Sequence, residues 1–583
     1  MPESGKPDLR SRRWFDGFDL HGYSHRGWLR HNGFSDEALR GRPVIGICNM
    51  WSELVGCNVH LRGLATAVKR GVLQAGGLPL EFPVMTPGDA LQKPAAMMYR
   101  NLASMDVEET IRSNPLDAVV LLAGCDKSGP AAMMGAASAD VPCIMVTGGP
   151  AQPGYFRGQR VGSGGGYWKF ADEARLGTLT PEEYLEAEAS TNRTHGHCMD
   201  MGTASTMASM SEALGMTLPG GAATPAVDVR RAVLAERSGR RAVELANEGL
   251  RPSSILTRPA FENAIRVLEA LAGSTNALIH LIAIAGRVGV RLTLEDFQAA
   301  EGIPVLANIE PTGSYLMEDF YFAGGVQAVM NELLPHLHGD ALTINGHTVA
   351  ENAKKSPSSN PDVIRPLSSP LQPRSSHVVL RGSLAPRGAV IKRSAASPHL
   401  LRHRGPALVF EDIYDLAKRV DEPDLDITKD SVMILRNGGP IGAPGFPEFG
   451  TMPIPAKLLR DGVEDIVRIS DSRISGTSFG TLVVHVAPEA AVGGPIGLVR
   501  SGDPIALDTA ENRLDIDIPA EELARRQEQL QPPTLPYQRG YGALYLERVL
   551  QAPDGADFDF LRNLEGERPE LIPLLLMNGW VSL

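Results

Sequence analysis

Three of the five cysteines lie in loops where they could bind a metal. Cys57 and Cys198 each precede a predicted helix N-terminus, whose dipole favours a thiolate. Cys125 follows the apolar run 117–123 in the motif GCDKSGP, at the end of a predicted strand. No C-x-x-C pair occurs, so the patterns of zinc ribbons, thioredoxins and bacterial ferredoxins are absent. Any metal site must therefore be assembled from distant segments.

Cys125 has two interpretations. A free cysteine is often a small buried hydrophobe, and position alone does not exclude that. Its neighbours Asp126 and Lys127 argue for a site, because a thiol, a carboxylate and an amine in sequence are costly to bury unless they find partners or a metal. Cys48 and Cys143 instead lie inside apolar strand runs, and we predict that both are structural.

Two other motifs suggest binding sites that the spacing does not support. His195 and His197 raise the alternative of zinc at Cys198, but the paired spacing of zinc sites is missing, and we expect solvated loop histidines. Residues 161–167, VGSGGGY, lack the G-x-G-x-x-G spacing of a dinucleotide site. With no predicted strand before them and no predicted helix after them, they are predicted to form a flexible loop.

The second half of the chain offers hydroxyl groups and a carboxylate. ISDSRISGTSFG, at 469–480, lies between two β-rich runs. It can form a tight turn or an anion nest, or it can present a hydroxyl that acts as general base or nucleophile near a metal. Glu448 lies in a Gly/Pro-rich loop that either holds the carboxylate rigidly or is an ordinary solvated turn. The residues alone leave these alternatives open.

The N-terminal half has the pattern of a parallel sheet. From 43 to 150, short apolar runs alternate with segments of helical period, as in βαβ units, where ligands gather at the carboxyl ends of strands. One helix is predicted from near Asn58 to the glycines at 76–77, and residues 203–334 are predicted to be mostly helical, with helices opening at 257–259 and 273–275.

A Pro/Ser/Asn-rich segment at 351–376 is predicted to connect two domains. Beyond it, short β-rich runs with Gly and Pro turns indicate a compact β domain. The predicted fold class is therefore α/β, with an N-terminal parallel-sheet α/β domain with many helices at 1–365. A C-terminal mainly β, barrel-like domain is predicted at 376–583.

Composition narrows the possible partners. The 583 residues carry a net charge of −12 with both signs interspersed, which argues against nucleic acid. No stretch reaches the ~18 consecutive apolar residues that a membrane helix needs, and the first residues lack the apolar core of a signal peptide. Five cysteines are too few for a disulfide scaffold. We expect a soluble cytoplasmic protein with no membrane partner, and an anionic substrate would need a cation to bind it.

Five motifs together resemble the dihydroxy-acid dehydratase and 6-phosphogluconate dehydratase family: GCNVHLRGLA, GCDKSGPAAMMGAAS, HCMDMGTASTM, GSTNA and SDSRISGTSFGT. The resemblance runs from about Arg42 to DFDFL near the end. GYFRGQRVGSG and AASPHLL make it most similar to the sugar-acid branch, which includes L-arabinonate and D-xylonate dehydratases. The resemblance implies an iron–sulfur and Mg-dependent hydro-lyase that converts a 2,3-dihydroxy acid to a 2-keto-3-deoxy acid and water.

The resemblance implies that Cys57, Cys125 and Cys198 hold a [2Fe-2S] cluster with one iron position open. An iron of this kind can act as a Lewis acid on a departing hydroxyl. Many relatives carry other residues around the third cysteine, so His197 and Asp200 are expected to tune either the substrate site or the cluster environment.

The resemblance also implies a Mg²⁺ site and a base. The metal ligands would be Asp89, Asp126, Glu448 and Lys127, the last carboxylated on its amine, since hard oxygen ligands suit magnesium. Asp89 lies in a loop that differs from the usual family wording. Ser475 would remove the C2 proton, with Thr477 and Lys127 completing the catalytic set.

The substrate and the functional class keep alternatives. A sugar acid such as arabinonate, xylonate or gluconate is favoured over a branched-chain dihydroxy acid or a promiscuous range that includes glycerate. A cluster protein that senses iron or oxidation would not need Lys127, Glu448 and Ser475. A Mg-dependent hydrolase or phosphatase would leave the cysteines unexplained. The family generally forms dimers or dimers of dimers, so a homodimer or homotetramer is expected.

Overall fold

The computed structural model describes residues 9–531 and 533–562. The predicted domains 1–365 and 376–583 extend into the remaining residues, and the boundary between them stays a prediction. Within the described ranges, no helix combines the length and apolar character that crossing a membrane requires.

Four strands form a wholly parallel sheet in the order β2-β1-β3-β4. They are β1 (Val44–Asn49), β2 (Leu78–Pro83), β3 (Ala118–Ala123) and β4 (Cys143–Thr147). Every residue of β1, β3 and β4 is buried, which explains why their sequences are continuous apolar runs. Cys48 and Cys143 lie inside β1 and β4, as predicted. The loops after the strands lead into the site.

Helices make up most of the remaining N-terminal half, and residues 203–334 are mostly helical as predicted. The helix predicted near Asn58 begins at Leu61, after one 3₁₀ turn. The helices are α1 (Arg12–Phe15), α2 (Leu20–Arg30), α3 (Asp36–Leu39), α4 (Leu61–Gln74), α5 (Ala96–Ser113), α6 (Ser128–Ala139), α7 (Ser163–Arg175), α8 (Pro181–Thr191), α9 (Thr203–Ala213), α10 (Val229–Glu248), α11 (Pro252–Ile255), α12 (Arg258–Ala270), α13 (Asn276–Arg287), α14 (Leu294–Gln298), α15 (Met317–Phe322), α16 (Gly325–Glu332) and α17 (Val349–Ala353).

The prediction of a flexible loop at 161–167 is wrong. A short hairpin, β5 (Gly154–Phe156) with β6 (Gln159–Val161), leads directly into α7. Three successive glycines have low helix propensity, but tertiary packing overrides it here. The Asp200 carboxylate accepts the Gly164 N–H, and a Cβ on Gly164 would lie 2.2 Å from the Thr477 Cβ, so only glycine allows this close approach.

The segment after α17 is irregular and leads into a second group of strands. Ten strands follow: β7 (His377–Leu380), β8 (Gly388–Lys392), β9 (Arg402–Phe410), β10 (Val432–Leu435), β11 (Glu448–Phe449), β12 (Val467–Ser470), β13 (Arg473–Ile474), β14 (Leu482–Ala487), β15 (Pro504–Asp508) and β16 (Arg513–Ile516). Four helices accompany them: α18 (Ile413–Arg419), α19 (Ala456–Arg460), α20 (Ala520–Gln529) and α21 (Gly540–Arg548).

Eight of these strands form one mixed sheet in the order β16-β15-β9-β10-β12-β14-β8-β7. The edges approach each other, because Leu514 donates its N–H to the Arg381 carbonyl and Arg381 donates to the Asn512 carbonyl. Alternate residues of β9 belong to different apolar clusters, which is the two-residue period of a strand packed on both faces. The sheet is thus nearly closed and barrel-like, and the predicted fold class is confirmed.

The two halves share buried polar contacts. The Glu269 carboxylate of α12 contacts His377 at the start of β7, with an Oε1 to Nδ1 distance of 3.0 Å. Arg287 of α13 donates two hydrogen bonds to Asp557, near the end of the described chain. All four side chains are buried, so removing one partner of either pair would leave the other unpaired in a low-dielectric interior.

Candidate active site

The loops after β1 and β3 bring two of the predicted cysteines together. Cys125 comes two residues after β3, and Cys57 lies in the 3₁₀ turn Gly56–Asn58 before α4. A Cβ on Gly124 would lie 2.8 Å from the Cys57 carbonyl oxygen, so the glycine lets the two loops touch. A hydrogen bond between the Cys125 and Cys57 thiols, followed by burial, raises the pKa of the Cys125 thiol. The two loops therefore bring these two thiols close together.

Cys198 approaches the same place from the loop before α9. Burial, with smaller contributions from Asp200 and Cys57, raises the pKa of the Cys198 thiol. All five cysteines are free, and the other two lie in strands. The site therefore offers three thiols and no fourth, a set that could hold a metal or a cluster with an incomplete complement of cysteines.

A second cluster gathers three carboxylates around one buried amine. Lys127 Nζ lies 2.5 Å from Asp89 Oδ2, 2.8 Å from Asp126 Oδ2 and 2.5 Å from Glu448 Oε2. The carboxylate oxygens lie within 4.8 Å of one another. Asp89 reaches this point from the loop after β2, and Glu448 begins β11 in the second domain. Hard oxygen donors at this spacing could hold a divalent cation such as Mg²⁺.

The charges in this cluster perturb each other strongly. Burial, followed by the neighbouring Asp126 carboxylate, raises the pKa of Asp89 to about 7. Burial would also raise the pKa of Asp126, but the Lys127 ammonium and a hydrogen bond from Asp89 lower it overall. Burial and Arg473 oppose the charged form of Lys127, yet the three carboxylates raise the pKa of its amine. These carboxylates and the Lys127 amine form a buried cluster of charges. Glu448 therefore does not lie in an ordinary solvated turn.

Two further residues bind Glu448, and neither was predicted from the sequence to belong to the site. Arg473 donates from Nη1 to Glu448 Oε2 at 2.7 Å, and its Nη2 is buried with no hydrogen-bond partner among residues 9–531 and 533–562. Asn276, at the start of α13, donates to the same oxygen at 3.1 Å and to the Ile474 carbonyl. Arg473 lies in the motif SDSRISGTSFGT and Asn276 in the motif GSTNA. Their position in motifs that carry the family resemblance is the sequence signal that could have identified them.

Ser475 is placed beside Glu448 by strand pairing. β11 and β13 pair in parallel with Glu448 opposite Arg473, and Ser475 donates its N–H to the Phe449 carbonyl. The Ser475 Oγ lies 2.9 Å from Thr477 Oγ1. Thr477 also accepts a hydrogen bond from Trp168 Nε1 at 3.1 Å. Trp168 lies on α7, in the segment predicted to follow a flexible loop.

The carboxylates and Ser475 open into one cleft of about 610 Å³. Asp89, Asp126, Glu448 and Ser475 form its floor, and Trp168 of α7 lies against Gly450 in its wall, where a Cβ on the glycine would approach the indole to 1.9 Å. The lining also includes the polar or charged side chains of Lys93, Asp172, Arg175 and Thr451 and the small apolar residues Ala90, Ala171 and Pro453. The two cations could attract an anionic substrate.

The two histidines near Cys198 have different environments. His195 is exposed and stacks on His60 with a ring-centroid distance of 4.6 Å. His197 is buried, contrary to the prediction of a solvated residue, and its Nδ1 lies 3.1 Å from the Cys198 carbonyl oxygen. Burial lowers the pKa of His197 to about 3, so the ring is neutral at pH 7. Asp200 binds the first turn of α7, which links the cysteine loop to the wall of the cleft.

Two family models match the chain. The model described as Dihydroxy-acid/6-phosphogluconate dehydratase N-terminal matches residues 42–352. The corresponding C-terminal model matches residues 362–556.

Three curated relatives align over nearly the whole chain. An L-arabinonate dehydratase of Rhizobium leguminosarum bv. trifolii is 52% identical over 96% of this chain and 97% of that protein. A 6-deoxy-6-sulfo-D-gluconate dehydratase of Pseudomonas putida is 48% identical over 95% of this chain and 96% of its own length. A dihydroxy-acid dehydratase of Saccharolobus islandicus is 39% identical over 91% of this chain and 96% of its own length.

Proposed function

This chain belongs to the dihydroxy-acid/6-phosphogluconate dehydratase family, and we propose that it dehydrates a sugar acid to a 2-keto-3-deoxy acid. The observation that carries the proposal is the convergence of three cysteine loops, three carboxylates around Lys127, and Ser475 at one place between the two domains. A hydrolase would have no use for the cysteines. An iron sensor would have no use for the serine in the cleft.

We propose that Cys57, Cys125 and Cys198 hold a [2Fe-2S] cluster. The fit rests on the donor set, which is three free thiols with no fourth cysteine in reach. Bound there, the cluster would supply an iron that lacks one protein ligand and can act as a Lewis acid on the 3-hydroxyl. Cys125 and Asp126 are adjacent, so the thiol site and the carboxylate site share one loop.

We propose that Asp89, Asp126 and Glu448 hold Mg²⁺, with Lys127 carboxylated as a further oxygen donor. The convergent carboxylate oxygens support this, since Mg²⁺ prefers such ligands and would orient the substrate carboxylate and 2-hydroxyl. Carboxylation turns the amine into an anion that can bind the metal directly. Mass spectrometry of the intact protein under native conditions would detect the added carboxylate on Lys127.

In this proposal Ser475 takes the proton from C2 as the hydroxyl leaves C3. The C2–H and C3–O bonds break, water departs, and the enol that forms between C2 and C3 tautomerises to the 2-keto-3-deoxy acid. The Thr477 hydroxyl lies 2.9 Å from the Ser475 oxygen, and donation from Thr477 would favour the negatively charged form of Ser475. Lys93 and Arg175 are the cationic side chains of the cleft, and they would attract the acid.

The lining of the cleft supports a sugar acid over a branched-chain dihydroxy acid. Besides the apolar groups of Ala90, Tyr167, Trp168, Ala171 and Pro453, the cleft carries Asp172, Arg175 and Thr451, which can hydrogen-bond the hydroxyls of an aldonate. The alkyl end of a branched-chain acid would desolvate these polar groups without replacing their hydrogen bonds.

A substrate panel tests the proposal. Anaerobically prepared protein containing iron and sulfide is assayed for 2-keto acid with arabinonate, xylonate, gluconate, 2,3-dihydroxyisovalerate and glycerate. We expect kcat/KM for at least one aldonate to exceed that for dihydroxyisovalerate by about 100-fold or more, a difference of about 3 kcal/mol from unpaired polar groups. EDTA should abolish turnover and Mg²⁺ should restore it. Preference for dihydroxyisovalerate would overturn the substrate assignment, and activity on none of the acids would overturn the function.

A further inference from the structure

We propose that Trp168 is a positioning residue for the reaction, which acts through Thr477 to orient a hydrogen bond onto Ser475. The inference rests on the proposed function of Ser475 as the base. It gives a role to α7, whose indole touches both the wall of the cleft and the hydroxyl pair.

The direction of the hydrogen bonds follows from the donor inventory. An indole N–H can only donate, so Thr477 Oγ1 accepts from Trp168 Nε1 at 3.1 Å. Over residues 9–531 and 533–562, the other hydrogen-bond contact of this hydroxyl is Ser475 Oγ, at 2.9 Å. Either oxygen of this pair could be the donor, and with one lone pair of Oγ1 taken by the indole N–H, the Thr477 proton is available to Ser475.

Ser475 then receives two donors from one residue. The Thr477 N–H also points to Ser475 Oγ, at 3.3 Å. Two donors on this oxygen stabilise negative charge there, which is what a serine needs to act as a base. Without the indole, the Thr477 hydroxyl is free to rotate, and the Ser475 hydroxyl can donate to it in the reverse direction.

The position of the indole is fixed by its surroundings. Trp168 lies against Gly450, where no Cβ would fit, and packs edge-on against Tyr167 with ring centroids 4.7 Å apart. The first turn of α7 is anchored through Gly164 on the Asp200 carboxylate. Replacing the indole by a phenyl ring keeps an aromatic wall but removes the only polar atom of the side chain.

A double-mutant cycle tests the inference kinetically. Trp168→Phe should lower kcat about fivefold, the size of one neutral hydrogen bond, with KM within about twofold of wild type. Thr477→Val should lower kcat about 30-fold, as for a hydrogen bond to a charged group. The double variant should match Thr477→Val alone, since Trp168 acts through that hydroxyl. Thr477→Ser keeps the hydroxyl and should recover most of the kcat that Thr477→Val loses.

Trp28→Phe is the matched control, because Trp28 is exposed on α2 and away from the cleft. Visible absorption of each variant reports whether the cluster is retained. Unchanged kcat in Trp168→Phe, or multiplicative effects in the double variant, would overturn the inference. Wild-type protein that dehydrates none of the acids would instead overturn the proposed function.

A spectroscopic readout is independent of turnover. The chain contains five tryptophans, so ¹⁵N-indole labelling gives few resonances, and Trp168→Phe identifies the one that belongs to Trp168. Thr477→Val should shift this N–H proton upfield by loss of its acceptor, and Thr477→Ser should leave it in place. An indole resonance that is the same in wild type and Thr477→Val would contradict the hydrogen bond on which the inference depends.

Discussion

At the scale of single residues, the site depends on charges that the fold keeps close together. The amine of Lys127 contacts the carboxylates of Asp89, Asp126 and Glu448. The motif around Lys127 indicated a site, since three polar groups in sequence need partners. Two of these carboxylates, those of Asp89 and Glu448, are 38 and 321 residues away from Lys127 in the sequence. No local pattern could therefore identify them. The family resemblance supplied them instead.

Glu310 gives a prediction for stability against pH. Its Oε2 is buried beneath the first turn of α7, where none of the residues that the structure describes hydrogen-bonds it. Burial, followed by the Asp200 charge, raises the pKa of Glu310 from 4.5 to about 7. The folded protein therefore holds a proton that the unfolded chain releases above about pH 4.5. The contribution of Glu310 to the free energy of unfolding should fall as pH rises from about 4.5 to about 7 and stay level above pH 7.

Glu310→Gln removes this pH-dependent part. Because the carboxyl is partly exposed and solvent screens it, we expect an effect of about 1 kcal/mol, or on the order of 1 °C in Tm for a chain of this size. Scanning calorimetry at pH 5 and pH 8 should show a smaller fall in Tm for the variant than for wild type. The exposed Glu186→Gln should behave as wild type. A larger fall in Glu310→Gln would contradict the assignment.

At the scale of elements, α7 and α8 form a small unit with their own apolar cluster, which includes Phe156 and Phe170. The unit is fastened to both domains. Arg160 of β6 binds Asp319 of α15 with two hydrogen bonds, and Arg175 at the end of α7 binds Asp421 beyond α18. The wall of the cleft therefore depends on a few polar contacts rather than on the main core.

Breaking the Arg175 contact should loosen this unit. Asp421→Asn removes the ion pair while every residue that lines the cleft, including Arg175, stays unsubstituted. We expect amide hydrogen exchange in α7 to rise about fivefold, since a partly exposed bidentate pair contributes about 1 kcal/mol. KM should rise as well, because the wall becomes less well ordered. The control is Arg157→Ala, whose pair with Glu183 lies inside the unit. Unchanged exchange in α7 of Asp421→Asn would show that the contact does not hold the wall.

The sequence predicted most elements and missed the one that bears on the serine. Strands β1, β3 and β4 were readable because buried parallel strands are continuous apolar runs. α7 was not, because its three glycines indicate a loop unless the contacts with Thr477 and Asp200 are known. Trp168 could not be assigned for the same reason: its partner Thr477 is 309 residues away.

At the scale of the whole molecule, neither half has a complete site. The cysteines, Asp89 and Asp126 come from loops of the N-terminal half, whereas Glu448, Ser475 and Thr477 come from the C-terminal half. Buried pairs such as Arg287 with Asp557 hold the two together. The proposed site therefore needs groups from both halves of the chain.

We propose that the three cysteines and Ser475 serve one reaction in one site. Paired variants test this proposal most directly. Anaerobically prepared wild type, Cys125→Ser and Ser475→Ala are compared for visible absorption, iron and sulfide content, and 2-keto acid formation from the best aldonate. Ser475→Ala should keep the absorption and metal content and lose activity by about 1,000-fold, as expected for removal of a general base. Cys125→Ser should lose both. A colourless Cys125→Ser that still dehydrates, or Ser475→Ala at the wild-type rate, would contradict the account.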